Sequence, residues 1–552
     1  MRHFVYLFVF VCILSLITGC AQPVIEEKAP VSYVKNELDK LAPVTLTADL
    51  SYLPKEEVQV IKLLVNASQH IDRLFLLQVS ESNPAMLNAL KQSNDVDAYL
   101  DLFQIMFGPW NRLDEDRPFI NDRPKPEGAA YYPLDMTKDE FLEWIRVHPE
   151  DRDAFESNFT VIRRGEGGLT AIPYSAYYEK ELKTLKEVLL QAADLTRDQT
   201  LKRFLRSRAE AFLTDDYYQS DMDWMDLAGD LEVVIGPYEV YEDNLFGYKA
   251  AFESFICVVD HEASNRQKEI AGYLTDLEKA LPIADKHKNF DRGASSPIKV
   301  VNLVYSAGDT KAGIQTTAFN LPNDERVREA KGSKKVMLKN VMHAKFEKCW
   351  IPIVNTVLSE QDLNRVSFDA YFSHVLMHEV SHGLGPGRIV KNGRETTVNK
   401  ELSDLYSTIE EAKADVLGIF TSQILIDKGV FPKELEKTLY ASNLGGMFRS
   451  IRFGIEEAHG GGVAIQLNYY LDNGACAVDR DGRFRVNDRK MKRAVRDLAE
   501  TLLKIEAEGG YEAARTLIEK YRNIRPEVQA ALDRLKNVPI DIRPIYPIRE
   551  DI

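Results

Sequence analysis

His378-Glu379-Val380-Ser381-His382 is the stretch on which the reading of this chain turns. On an α-helix, residues i and i+4 lie on one side, so both imidazoles can reach a single Zn2+ while Glu379 stands beside them. The flanks support a helix. Phe368, Tyr371, Phe372, Val375, Leu376 and Val380 form an apolar stripe with helical spacing, and Gly383-Leu384-Gly385-Pro386-Gly387 then ends it. Alone, the pentapeptide fits two histidines on an amphipathic surface helix equally well.

A catalytic zinc needs a third protein ligand and one open position for water. A metzincin would place a histidine six residues after His382, but that residue is Arg388, a cation that cannot ligate. The other candidate lies about thirty residues on, in Glu410-Glu411-Ala412-Lys413-Ala414-Asp415 followed by the apolar Val416 to Phe420. Glu411 and Asp415 share a helix face. Glu411 could bind the metal while Asp415 accepts a hydrogen bond from a ligand histidine and fixes its tautomer. Charged groups against so apolar a helix are costly unless paired or metal-bound. The competing reading is a solvated acidic helix start, and the two segments together favour the metal site.

Two further stretches could complete such a site. Glu457-Ala458-His459-Gly460-Gly461-Gly462 sets a histidine beside glycines that permit close approach of a ligand to backbone. Tyr238-Glu239-Val240-Tyr241-Glu242-Asp243 is a polar, aromatic-rich segment after a strand. Taken singly, a structural histidine and a loop rim explain them as well. His261-Glu262 lacks a second histidine at i+4, and His374, one turn before His378, suits the core or a partner of the ligands.

Working outward, Leu231 to Gly236, Phe252 to Val259, Ile298 to Tyr305 and Thr316 to Leu321 read as strands. Leu53 to Glu210 and everything from Phe368 onward carry helical spacing, with a Pro-rich interruption at Asp114 to Pro133. The expected fold is mostly α with a smaller β element (α+β). Composition is globular, and 552 residues should divide into two to four folding units. Asp+Glu 85 against Lys+Arg 70 leaves a charge of -15, which argues against nucleic acid as a partner.

Met1 to Cys20 reads as a bacterial secretory signal: a basic start, an apolar run from Phe4 to Leu16, and small residues before a cysteine. The run is short of the roughly 20 residues that span a bilayer. Its end resembles a lipobox, with Cys20 lipidated, so the expected location is the cell envelope, anchored to a bacterial membrane and facing the periplasm or exterior. Residues 21–48 are expected to be a linker. Cys257, Cys349 and Cys476, odd in number and far apart, are expected to be buried apolar side chains and not a disulfide framework.

The ordered series Tyr238-Glu239-Val240-Tyr241, Phe246-Gly247, Phe252-Glu253, Phe319-Asn320-Leu321-Pro322-Asn323-Asp324, His378 to His382, Glu410 to Asp415 and Glu457-Ala458-His459 resembles the dipeptidyl peptidase III family of zinc peptidases, family M49. The resemblance runs over roughly Tyr174 to Gly474. It implies one Zn2+ per chain, held by His378, His382 and Glu411, with Glu379 as the catalytic carboxylate and Glu410 and Asp415 supporting the ligands. Tyr241 and His459 would face the tetrahedral intermediate, while Glu239, Asn320 and Asn323 would hold the N-terminal end and backbone of a short peptide. The implied activity is zinc-dependent hydrolysis that releases N-terminal dipeptides. The implied fold is two lobes around a wide cleft, a mixed lobe with a β-barrel (49–260 and 300–345) and a helical zinc lobe (261–299 and 346–552). Two departures stand out. The zinc motif has five residues where the family usually has six, and Lys335 stands where the family has an asparagine. The arginine that would bind a substrate carboxylate has no evident counterpart in the C-terminal part. A non-catalytic zinc-containing peptide binder, or a zinc amide hydrolase or endopeptidase of other specificity, are the competing functions.

Overall fold

Strands Leu231–Glu239 and Ala251–Val259 pair antiparallel, and side chains of both are buried almost throughout, which explains their unbroken β-branched and aromatic character. A computed structural model of the chain describes residues 28–93, 97–290 and 297–549. The signal segment and Cys20 lie outside the described residues. Ile298–Gly308 continues the sheet antiparallel, Lys334–Leu338 adds in parallel, and Ala318–Leu321 closes the order at the edge. The expected barrel element is thus an open, five-stranded half-barrel. All four strands read from the sequence are present. Lys334–Leu338 was not foreseen, because two lysines lead an apolar run of only three residues, too short to mark a strand. The hairpin Thr160–Gly165 with Gly168–Pro173 was also missed, in a stretch read as helical.

Two large cores define the two lobes, and a third, smaller cluster around Val34, Leu41, Phe75 and Phe103 adjoins the mixed one. In the mixed lobe, helices Lys55–Val79, Glu179–Leu195 and Gln199–Thr214 bury Leu64, Leu182 and Phe204 with the sheet. In the helical lobe, Phe368–Ser381, Tyr406–Asp427, Leu435–Ile451, Ala458–Asp472 and Asp488–Glu508 bury Leu376, Leu417, Leu444, Ile465 and Leu498 together. Each such leucine contributes about 1.5–3 kcal/mol by leaving water. Helices His261–Gly272 and Leu274–Ala280 bury Ile270 and Leu277 in this second core. Lys334–Leu338 runs along the seam. Val336 and Leu338 pack in the mixed core, while Met337 packs in the helical one, so the period-2 alternation turns Lys335 and Met337 towards the helical lobe. Cys257, Cys349 and Cys476 are free and buried.

Two expected boundaries need correction. Residues 28–48 are not a linker: Val31–Asp39 is a helix and Leu41–Thr45 a strand, with Val34 and Leu41 buried. The strand pairs in parallel with Asp541–Ile545 at the far end of the chain, a partner no local pattern reveals. For the same reason 346–552 is not wholly helical lobe, since Ile542 and Tyr546 pack in the mixed core. The returning strand is fixed by a buried ion pair. Lys345 Nζ lies 2.9 Å from Asp541, which also accepts from the Gln315 amide at 2.7 Å. Lys345→Met should cost roughly 3–5 kcal/mol, because it strands a buried carboxylate. A lowered guanidinium midpoint, partly recovered by adding Asp541→Asn, is the expected result.

Candidate metal centre

Ser367 caps the helix Phe368–Ser381 by accepting from Ala370 N, and His378 and His382 project from its last turns. Their Nε2 atoms are 3.1 Å apart. Glu411, on the helix Tyr406–Asp427, brings Oε2 to 3.3 Å from His378 Nε2 and 3.9 Å from His382 Nε2. Tetrahedral zinc, with bonds near 2.0–2.2 Å, sets its ligand atoms about 3.3 Å apart. These three atoms therefore have the spacing of one face of such a tetrahedron.

The surroundings favour a cation there. His378 Nδ1 donates to Asp415 Oδ1 at 2.7 Å, and His382 Nδ1 donates to Glu410 Oε1 at 2.8 Å. Both rings thus turn Nε2 towards each other and towards Glu411, a convergence that a shared cation or proton satisfies. Glu411 Oε2 is buried with no donor in hydrogen-bonding geometry, although His459 Nδ1 stands 2.9 Å away. Burial opposes charge on His378, yet Asp415 and Glu411 raise its pKa to about 10. Burial likewise disfavours the Asp415 carboxylate, but His378 holds it at about 2. For Glu411, His378 and His459 overcome burial and hold it well below the usual carboxylate range. The donor set fits zinc.

The convergence depends on glycine. A Cβ on Gly418 would stand 3.0 Å from His378 N, and one on Gly462 would stand 2.8 Å from Ala412 N. Both sites let helices approach at backbone distance. Asp415 is further fixed by Gln466 Nε2 at 3.1 Å, and Glu410 by Lys413 Nζ at 2.7 Å. Sequence reading missed both donors. Lys413 was visible at i+3 from Glu410, and Gln466 lies seven residues, two helical turns, after His459 on the same face. His374 is half-buried, its Nε2 3.2 Å from the Asp415 carbonyl, consistent with a supporting place. Asp415→Asn should weaken metal affinity about 10–100-fold without removing a ligand, as read by competition against a chelator.

Glu379 lies beside this triangle and points into the cleft. Its Oε2 is 2.5 Å from Lys335 Nζ across the lobe seam, a contact the sequence did not disclose. Burial alone would raise the Glu379 pKa, but Lys335 and His378 hold it below the ordinary carboxylate value. Glu379, His382, Lys335 and Asn320 line one cavity of about 320 Å³.

Glu457 caps the next helix by accepting from Gly460 N, which sets His459 in its first turn. The remaining expected residues belong to the mixed lobe. Asn323 Nδ2 donates to the Tyr238 carbonyl at 3.1 Å and stands beside Glu239, whose pKa burial pushes up. Tyr241, on the turn after Leu231–Glu239, is 76% exposed. Among the described residues, no hydrogen bond or ion pair joins it to the histidine pair or Glu411. The structure thus brings His378, Glu379, His382, Glu410, Glu411, Asp415 and His459 together, and leaves Tyr241 at the rim of the opposite lobe.

The model of peptidase family M49 matches residues 162–420. A solved structure of DPP III from Caldithrix abyssi is 51% identical in sequence and superposes with a TM-score of 0.91, covering 94% of this chain and 99% of that one. The chain belongs to peptidase family M49. A second solved structure, dipeptidyl-peptidase III from Corallococcus sp. strain EGB, is 44% identical with a TM-score of 0.77, covering 95% of this chain and 99% of that one. An Arabidopsis thaliana protein named Nudix hydrolase 3 is 39% identical over 94% of this chain and 74% of its own length. Dipeptidyl peptidase 3 of Dictyostelium discoideum is 23% identical over 73% of this chain and 68% of its own. This M49 chain is accordingly a metallopeptidase of the dipeptidyl peptidase III class, acting on peptides.

Proposed function

We propose that the chain is a zinc-dependent peptidase that releases dipeptides from the N-termini of short peptides. The observation that carries this reading is the triangle of His378, His382 and Glu411 with Glu379 unligated beside it in an open cavity. Bound there, Zn2+ supplies a Lewis acid that polarises the scissile carbonyl and makes water acidic enough to ionise near neutral pH. Glu379 accepts the proton of the attacking water and delivers it to the leaving amine. His459, and Tyr241 once the lobes approach, donate hydrogen bonds to the developing oxyanion. Glu239 attracts the free α-ammonium, while Asn320 and Asn323 pair with the extended backbone of the peptide. On this reading Tyr241→Phe lowers kcat about 10²–10³-fold with little change in zinc content, the usual cost of one oxyanion donor.

The deciding experiment incubates the zinc-loaded protein with a mixed peptide library and reads the products by mass spectrometry. Products shortened by two residues at the N-terminus are expected. Internal cuts would replace the assignment with an endopeptidase, and no products would leave a peptide binder. We further propose that Cys20 carries the lipid anchor of a cell-envelope protein. None of the described helices is long and apolar enough to cross a membrane. Cys20→Ala should move the protein from the membrane pellet to the soluble fraction.

A further inference from the structure

Lys335 sits against Glu379, the residue that the proposed function makes the proton carrier. Its ammonium is 2.5 Å from Glu379 Oε2 and 3.5 Å from the Glu379 carbonyl. A peptide whose scissile carbonyl lies within reach of Glu379 can bring its next residue within reach of the Lys335 side chain, since one residue spans at most about 3.3–3.6 Å.

Two cavities meet at Lys335, Glu379 and His382. The smaller leads along the edge strand to Phe319 and Asn320. The larger, about 840 Å³, leads away past Ile298 and Lys299 to the helix His261–Gly272. If Asn320 holds the N-terminal side of the substrate, as the proposed function has it, the departing peptide enters the larger cavity.

That cavity is basic. Lys268, Lys299, Lys334 and Lys335 line it, and among the described residues Glu379 is its one carboxylate. Lys299 and Lys334 share a single counter-ion, Glu232, at 2.7 and 2.8 Å. The excess positive charge is notable in a chain of net charge -15. Lys335 itself is paired with the carboxylate that must turn to water during the reaction. When Glu379 does so, another anion can take its place at the ammonium, and a short substrate carries one.

We propose that Lys335 receives the free C-terminal carboxylate of the departing peptide, so that tripeptides and tetrapeptides with an unblocked C-terminus are the favoured substrates. The inference rests on the dipeptide-releasing reading and adds to it a length limit and a charge requirement. A hexapeptide places its carboxylate beyond Lys335 and gains nothing from it.

The test compares free-acid and C-terminally amidated forms of one alanine-rich tripeptide, tetrapeptide and hexapeptide on the zinc-loaded enzyme. For the two short peptides, kcat/KM should favour the acid by roughly 10- to 100-fold, the range of a hydrogen bond between charged groups. The hexapeptide ratio should be near one. Lys335→Gln should bring the short-peptide ratio to near one, chiefly through KM of the acid, and Lys335→Arg should restore part of it. Reading the ratio cancels any effect of Lys335 on Glu379 common to both substrates. Cleavage without acid preference in the native enzyme, or a preference that survives Lys335→Gln, overturns this inference and leaves the peptidase intact. Absence of any cleavage takes both readings down.

Discussion

Glu379→Gln is expected to bind zinc with native stoichiometry while losing at least about 10³-fold in turnover, within the 10²–10⁴ that a positioned proton-transfer group contributes. The separation follows from geometry. The three converging ligand atoms belong to His378, His382 and Glu411, and Glu379 meets Lys335 instead. Glutamine keeps the size of the side chain and can still occupy its place beside His378, but it cannot accept a proton from water. Metal analysis after gel filtration should show one zinc per chain, with kcat reduced and KM little changed. Full turnover in this variant would remove Glu379 from the chemistry.

The second large effect falls on Glu411. Glu411→Ala should abolish stoichiometric zinc binding and with it the stabilisation that zinc confers. A ligand present at 100 times its Kd stabilises a fold by about 2.7 kcal/mol, so the native chain should gain several degrees in Tm on zinc addition and the variant none. Turnover should be lost together with the metal. The variant should still fold. Glu411 Oε2 receives no well-aligned hydrogen bond, and His378 and His382 keep Asp415 and Glu410 as partners. Zinc binding at native affinity in Glu411→Ala would mean that another group completes the site, and the hydrolase assignment would have to be rebuilt.

What could be read from the sequence was what depends on near neighbours. The two histidines, the Glu411–Asp415 face and the apolar runs at Leu231 and Phe252 each announce themselves within a few residues. The helix at Val31 and the strand at Leu41 did not, because the local composition is that of a spacer and the partners are distant, Asn111 and Asp114 for the helix and residues about 500 positions away for the strand. Lys335 was visible only as a departure from the family. Its contact with Glu379 arises from strand alternation at the seam between two cores, a three-dimensional relation with no local signature. Tyr241 is a different case. Its role was inferred from the resemblance, while the structure leaves it 76% exposed on the turn after Leu231–Glu239, with no hydrogen bond to His378, His382 or Glu411 among the described residues.

The pairing of Leu41–Thr45 with Asp541–Ile545 has a consequence for biogenesis. The lobe translated first is the one completed last, because its N-terminal strand waits on the ribosome until nearly the whole polypeptide has been made. The helical lobe can fold in the meantime as a large loop whose ends are then drawn together, a high-contact-order closure that is intrinsically slow. Trimming the last dozen residues would leave an open strand edge in the lobe opposite His378, His382 and Glu411, and fusions at that end should be judged by that edge and not by their distance from the cleft.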